Sequence, residues 1–240
     1  MRTIILAAGV GSRLGKSKVP KCLLEVNNTT VIELLLKTLR EAGIDKRRIR
    51  IVIGDQGEVW SRANQQRIQK ICSDVVINPY NVNYENAYSL QLGFQDIYSD
   101  EVLLVDGDIF CEKKLLKEFL SHSRTDILLA RPAVNPDEKG GKIYMSKERI
   151  TAIGEELPRE YYPWKIYSGI ARLSPETCQR IRTNLSKVTK VVDAFNMVAG
   201  ESEIGVFQPS FNGDALYYGW ININTADDYK SVLERFVDNR

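Results

Sequence analysis

Histidine is nearly missing. The chain holds one, His122, in the polar stretch Ser121-His122-Ser123, which argues against a His-based triad or a histidine metal cluster. Whatever chemistry occurs must do without imidazole. Cysteine is scarce as well: Cys22, Cys72, Cys111 and Cys178 stand far apart without a C-x-x-C pair. That spacing argues against zinc and fits reduced, structural thiols. No apolar run approaches the roughly 18 residues that a membrane span needs, and no signal-peptide pattern precedes the first strand-like run. A soluble, cytoplasmic protein without a membrane partner is expected. There is no basic surplus either: 33 Lys and Arg against 31 Asp and Glu leave a net charge of +2, so nucleic acid is not an expected partner. Internal repeats, low-complexity runs and linkers are absent. The 240 residues suit one α/β domain over 1–240, as a monomer or homodimer.

What is present is organised around residues 3–21. An apolar run over 3–8 ends in a loop that holds Gly9, Gly11 and Gly15 with Arg13, Lys16, Lys18 and Lys21. Glycines let backbone N–H groups approach an anion, and the long cations supply charge, so the stretch reads as a polyphosphate site. Two familiar motifs miss it. A P-loop needs four residues between its first Gly and Gly-Lys-Ser, whereas five separate Gly9 from Gly15. The dinucleotide pattern G-x-G-x-x-G fails by the same single residue, and Pro20 interrupts a helix starting directly after the loop.

Leu6-Ala-Ala-Gly-Val-Gly-Ser-Arg13-Leu14, followed by Pro20-Lys21, resembles the signature of nucleotidyltransferases that join an NTP to a sugar phosphate or alcohol phosphate and release pyrophosphate. The resemblance implies a triphosphate wrapped by the loop. It implies phosphate contacts from Arg13 and Lys21, and a base bordered by backbone from Leu6 through Ala7, Ala8 and Gly9, with Gly11 and Ser12 completing the nucleotide site.

Further along, Thr30 can cap a helix through Ala42 whose apolar positions recur at helical spacing until Gly43. Strands are expected over 50–54 and 74–78, and a helix over 58–72. Strands alternating with helices imply a three-layer, mostly parallel, Rossmann-like sheet. Beyond the third strand, residues 78–90 form a polar and aromatic loop entering a helix. Its four asparagines, Asn78, Asn81, Asn83 and Asn86, and Ser89 offer donors and acceptors of the kind a nucleobase edge requires, although an Asn-rich turn that caps the helix fits equally well. Phosphocholine-type cytidylyltransferases carry a similar stretch, and that likeness puts Asn86 and Ser89, with Ala87 and Asn81, beside the pyrimidine.

The apolar run over 101–105 ends in Asp106-Gly107-Asp108. Two carboxylates at the carboxyl edge of a sheet suit Mg²⁺, which takes one or two protein carboxylates together with substrate phosphates. By resemblance Asp108 is the metal ligand, with Asp106 assisting beside the nucleotide. A helix over 113–121 and a strand over 125–131 follow.

From about 138 to 173 the pattern changes. Short strands over 142–145, 150–154 and 166–173 suggest a small β-rich lid insertion that shapes the acceptor pocket. Glu155, Glu156, Tyr161, Tyr162, Trp164 and Tyr167 crowd there. Aromatic faces attract a cationic head by about 0.5–2 kcal/mol each; lid packing or a subunit contact is the other reading. By resemblance the segment around Gly169 lines the acceptor site.

Helices over 175–184 and 191–199 and strands over 204–207 and 215–223 complete the pattern, before Thr225 caps a last helix. Many sugar nucleotidyltransferases have Trp-x-Asp-x-Gly-Thr here, with that Asp as the second metal ligand. Here Trp220 is followed by Asn222 in the Asp position and Asn224 in the Gly position, so either amide oxygen is a candidate ligand.

A phosphate monoester has its second pKa near 6 and is already an oxyanion nucleophile at neutral pH. No general base is required, which fits the missing histidine. The expected partners are an NTP and a small phosphate or phosphonate acceptor, with CTP and a phosphocholine- or 2-aminoethylphosphonate-like acceptor favoured. A sugar-1-phosphate uridylyl- or thymidylyltransferase is the alternative within this chemistry. An Asp-x-Asp glycosyltransferase and a non-catalytic nucleotide-binding module are the readings outside it.

Overall fold

In the computed structural model, residues 1–11, 17–210 and 218–238 are described. In chain order the elements are β1 (Arg2–Leu6), β2 (Glu25–Val26), β3 (Thr29–Thr30), α1 (Val31–Glu41), β4 (Ile49–Gly54), α2 (Arg62–Ile71) and β5 (Asp74–Asn78). They continue with α3 (Asn86–Gly93), β6 (Val102–Asp106), β7 (Ile109–Cys111), α4 (Lys113–Ser121), β8 (Ile127–Pro132), β9 (Lys142–Ser146) and β10 (Arg149–Gly154). The chain then runs through β11 (Lys165–Leu173), α5 (Pro175–Asn184), α6 (Val191–Ser202), β12 (Gly205–Phe207), β13 (Trp220–Asn222) and α7 (Ala226–Asp238).

The main sheet runs β10-β9-β11-β6-β1-β4-β5, with β8 on β11 and β12 on β8. Its centre, β6-β1-β4-β5, is parallel. Strands β9 and β10 form an antiparallel hairpin at one edge, and β11 is antiparallel to β6. The β-rich insertion therefore continues the central sheet, because the backbone edge of β6 is completed by β11.

Alternation along β1 explains the layers. Ile5 and Ala7 face one side, where they pack with Leu35 and Leu39 of α1, Ile68 of α2 and Phe119 of α4. Ile4 and Leu6 face the other side, against Leu90 and Phe94 of α3, Ile181 of α5 and Phe195 of α6. Period-2 strands between period-3.6 helices give helix, sheet, helix. α7 closes a smaller core, its Val232 packing near Val26, Val31 and Ile223.

The caps behave as the residue types dictate. Thr30 accepts from the Glu33 backbone N–H while Glu33 reaches back to Thr30, a reciprocal capping box. The expected helix over 58–72 starts later, at Arg62, because Ser61 takes the N-cap. Val59 and Trp60 are spent on the core instead. The last strand is described only over Trp220–Asn222, and residues 211–217 lie outside the described segments. All four cysteines are free and buried. Among the described residues no helix is long and apolar enough to cross a membrane.

Candidate active site

The chain builds β4 and β5 on one side of β1 and then crosses to place β6 on the other. Open α/β sheets bind ligands where the strand order reverses in this way, beyond the carboxyl ends of the strands. Leu6 pairs with Asp106 in register, so the glycine loop and the Asp-Gly-Asp turn leave the sheet side by side. The Gly107 N–H donates to the Leu6 carbonyl at 2.8 Å. A Cβ on Gly107 would fall 2.6 Å from the Ala7 Cβ, so this contact requires glycine.

Above that edge lies an open cleft of roughly 1440 Å³. Leu6, Ala7, Ala8, Gly9, Asn81, Asn86, Ser89 and Asp106 line it towards the glycine loop, and Lys21, Asp108, Asn222 and Asn224 line its middle. Lys142, Glu155 and Trp164 line the far wall, and Tyr167, Gly169 and Trp220 border the cleft as well.

The centre is a cluster gathered from three parts of the chain. The Lys21 ammonium donates to Asp108 Oδ2 at 2.8 Å and to Asn224 Oδ1 at 2.9 Å. Antiparallel pairing of β13 with β7, Asn222 opposite Ile109, brings the asparagines there. The Ile223 N–H then donates to the Asp108 carbonyl at 2.9 Å. Asn224 is fixed by its own N–H to Asp228 Oδ2 at 2.9 Å, within the cap where Thr225 and Asp228 bond reciprocally. Asn222 donates Nδ2 to the Ser168 carbonyl at 2.8 Å, which leaves its Oδ1 as the atom open to a ligand.

Asp106 sits behind this cluster against Gly169, whose φ of +89° and missing Cβ make room for the carboxylate. Burial first, and the neighbouring Asp108 charge second, push the Asp106 carboxyl up to about 8, against the pull of Lys21. The same burial, with the Asp106 charge, holds the Tyr167 hydroxyl well above its ordinary range.

The oxygens of Asp106, Asp108, Asn222 and Asn224 are a hard donor set, and a cation, the Lys21 ammonium, already joins two of them. That fits a Mg²⁺ ion sharing its sphere with phosphates. It does not fit a closed protein cage: among the described residues no cluster of three or more His, Cys, Asp or Glu could hold a metal.

The expected nucleotide half is only partly available to a ligand. Ser12 and Arg13 lie outside the described residues. Asn81 is spent on the backbone: its Oδ1 accepts from Asp55 and Gln56 N–H at 2.9 and 2.8 Å, and its Nδ2 donates to the Ala8 and Gln56 carbonyls. It holds the root of the glycine loop, assisted by Trp60 Nε1 donating to the Ala8 carbonyl at 3.0 Å, and does not offer a free amide to a base. Asn86 gives its Oδ1 to the Val191 N–H at 2.9 Å, tying α3 to α6 and leaving its NH₂ at the cleft. The Ala87 N–H adds to that tie through the Thr189 carbonyl. Ser89 Oγ accepts from Asn78 Nδ2 at 2.9 Å and keeps its hydroxyl proton to donate.

The acceptor half differs more from expectation. Tyr161 stacks on Tyr144 at 4.5 Å, Tyr162 packs edge-on to Trp164, and neither tyrosine lines the cleft. Trp164 is 2% exposed and its ring carries the chain's own Lys142 ammonium, 4.9 Å from the centroid. Glu155 is ion-paired with Lys190. Tyr161, Tyr162, Trp164 and Glu155 thus take partners from the chain itself, the arrangement of the lid-packing reading, while Glu155, Trp164 and Tyr167 still border the cleft. Lys142 and Lys190 were missed in the sequence; no local pattern marks which lysine the fold will set against an indole face or a distant carboxylate.

Comparison with known proteins agrees with this geometry. The profile of the MobA-like NTP transferase domain matches residues 3–189. The choline-phosphate cytidylyltransferase of Streptococcus pneumoniae is 25% identical over 242 residues, covering 98% of this chain and 97% of the relative. Its counterpart in Haemophilus influenzae is 26% identical over 251 residues, covering 100% and 99%. A solved structure of the S. pneumoniae CTP:phosphocholine cytidylyltransferase superposes with a TM-score of 0.70 at 22% identity, over 98% of both chains. The fold is therefore that of a solved nucleotidyltransferase, and the chain belongs to the MobA-like NTP transferase family as a nucleotidyltransferase.

Proposed function

We propose that the protein transfers the cytidylyl group of CTP to a small acceptor bearing a phosphate or phosphonate, with release of pyrophosphate. The observation that carries this reading is the Lys21–Asp108–Asn224 cluster at the strand-order switch, where the Lys21 stem packs against Gly11. Full-length similarity to two choline-phosphate cytidylyltransferases supports the choice of CTP.

The acceptor's phosphate oxyanion attacks the α-phosphorus, and the bond to the pyrophosphate oxygen breaks. Asp108, with Asn222 or Asn224 and assisted by Asp106, would hold Mg²⁺, which when bound offsets the repulsion between acceptor and donor phosphates. Lys21 would stabilise the added negative charge at the α-phosphate, and Arg13 would stabilise the departing pyrophosphate. The Asn86 NH₂ and Ser89 hydroxyl supply donors to the base edge, whose position is set by backbone from Leu6 to Gly9. No proton need be abstracted from a phosphate oxyanion, so no imidazole is required.

The open cleft of roughly 1440 Å³ also admits a sugar phosphate, which keeps a sugar-1-phosphate nucleotidyltransferase as the second reading. A pyrophosphate-release screen of four NTPs against choline, ethanolamine, phosphonate and sugar-1-phosphate acceptors tests both. CTP turning over with a small acceptor is the expected result. UTP or dTTP with a sugar phosphate would select the second reading, and silence throughout would remove both.

A further inference from the structure

Lys142 stands on β9 opposite Ile166 of β11 and lines the far wall of the cleft. It is only 8% exposed, yet it forms no ion pair or side-chain hydrogen bond among the described residues; its one recorded partner is the face of Trp164. The stem is buried while the ammonium reaches the cleft that the residue lines, so its charge faces the space a ligand would occupy without a carboxylate of the chain to offset it. The nearby carboxylates are committed elsewhere: Glu138 to Arg131, Asp137 to Arg159 and Glu155 to Lys190. Glu156 also borders the cleft, but it is exposed and makes no ion pair with Lys142. The indole N–H of Trp164 is itself buried without an acceptor, so this corner holds two donors and no anion.

Position separates this corner from the reacting centre. Ile166 precedes Gly169, the residue against Asp106, by three positions on β11, at most about 10 Å of strand, since β11 bulges between Tyr167 and Ala171. That span is the length of a small acceptor lying with its phosphate near Asp108.

Resting on the transfer reaction proposed above, we infer that Lys142 binds an anionic group, a carboxylate or second phosphate, at the end of the acceptor remote from the reacting phosphate. The acceptor class is then a small phosphate or phosphonate with an anionic tail, and Lys142 is its specificity residue.

Three acceptors of matched length separate the possibilities: 3-phosphonopropionate, 3-hydroxypropylphosphonate and 3-aminopropylphosphonate, assayed by pyrophosphate release at saturating CTP. The wild type is expected to favour the carboxylate over the amine by at least tenfold in kcat/KM. Lys142→Met should lower the carboxylate value at least tenfold while leaving the KM for CTP within twofold, and Lys142→Arg should retain most of it. A wild-type preference for the amine, an equal loss on all three acceptors, or a raised KM for CTP alone would overturn the inference. The last outcome would assign Lys142 to the triphosphate.

If no acceptor releases pyrophosphate, the transfer reading fails by itself. Calorimetric binding of 3-phosphonopropionate then decides the anion site: at least tenfold weaker binding to Lys142→Met supports it, and equal binding overturns it.

Discussion

The Lys21 ammonium is shared between Asp108 Oδ2 at 2.8 Å and Asn224 Oδ1 at 2.9 Å, linking residues from opposite ends of the chain. The lysine and aspartate side chains are 12% and 24% exposed, so water screens the pair only in part. A cation fixed between two hard oxygens has two consequences. It is oriented to meet charge arriving from a phosphate, and it competes with any divalent ion for Asp108. Lys21→Met should therefore lower kcat by about 10²–10³-fold, the usual loss when one donor to a developing oxyanion is removed. The same variant should bind Mn²⁺ more tightly. Pyrophosphate release and a Mn²⁺ titration by paramagnetic resonance read the two effects. Turnover within tenfold of wild type would remove Lys21 from the α-phosphate.

Asp106 makes stability depend on pH in an unusual direction. Its carboxyl is pushed from the ordinary 3.8 to about 8 by burial and by Asp108. Below pH 4 both folded and unfolded chains carry the proton. As pH rises to about 8 the unfolded chain releases it while the folded chain keeps it, so this group lowers stability across that window. Asp106→Asn should flatten the curve, melting higher than wild type at pH 8 and close to it at pH 4. Scanning calorimetry at unit pH steps checks this. A wild-type Tm that gains on Asp106→Asn as pH rises from 4 to 8 would show that the carboxylate is charged in the fold.

Gly169 is where backbone conformation and the acid meet. A Cβ there would lie 2.4 Å from Asp106 Oδ2, and the φ of +89° is strained for any L side chain. Gly43, past the end of α1, has a φ of +99° with nothing within 4 Å, so it carries the strain without the clash. Alanine at either position should cost about 1–3 kcal/mol of stability. Only Gly169→Ala should also lose turnover, at least tenfold, because Asp106 must move. Urea unfolding beside steady-state assays separates the two. Equal activity losses would refute a specific Gly169–Asp106 contact.

What could be read from the sequence followed from periodicity and from local chemistry. The limits of β5, α4 and α5 were legible residue for residue, since apolar spacing, Ser174 and Pro175 set them locally. Lys21 stood out through the glycine-loop resemblance and Asp108 through the strand-ending Asp-Gly-Asp turn, whereas the bond between them was not legible. Nor was the far wall. Whether Trp164 faces a ligand or a lysine depends on how β9 and β11 pair, a relation between residues distant in sequence. Asn81 shows the same limit: an amide that ties Ala8 to the turn at Asp55 looks, in sequence, like an amide awaiting a base.

Asn81 now has a testable positioning role. With its four hydrogen bonds to the backbone of Ala8, Asp55 and Gln56 removed, Asn81→Ala should lose about 1–3 kcal/mol of stability, the cost of leaving buried backbone groups unpaired. The KM for every NTP should rise by a similar factor, about tenfold, since the loop root shifts for all of them. The ratio of CTP to UTP turnover is the discriminating readout. A tenfold change in that ratio would return Asn81 to base recognition.

The two asparagines after Trp220, Asn222 in the last strand and Asn224 just beyond it, should respond oppositely to a restored carboxylate. Asn222 donates Nδ2 to the Ser168 carbonyl at 2.8 Å. An aspartate in that position replaces the donor with an acceptor facing an acceptor, so Asn222→Asp should cost about 1–3 kcal/mol. Asn224 presents Oδ1 to the Lys21 ammonium at 2.9 Å, and its remaining ties run through its backbone. An aspartate at this site keeps the contact and adds charge, so Asn224→Asp should hold or raise Tm and strengthen Mn²⁺ binding severalfold. It should also slow turnover, because a second carboxylate holds Lys21 more firmly away from the phosphate. Paired Tm and Mn²⁺ titrations on the two variants test the contrast. Stronger metal binding by Asn222→Asp with unchanged stability would assign the ligand role to Asn222 and show that the Ser168 contact is dispensable.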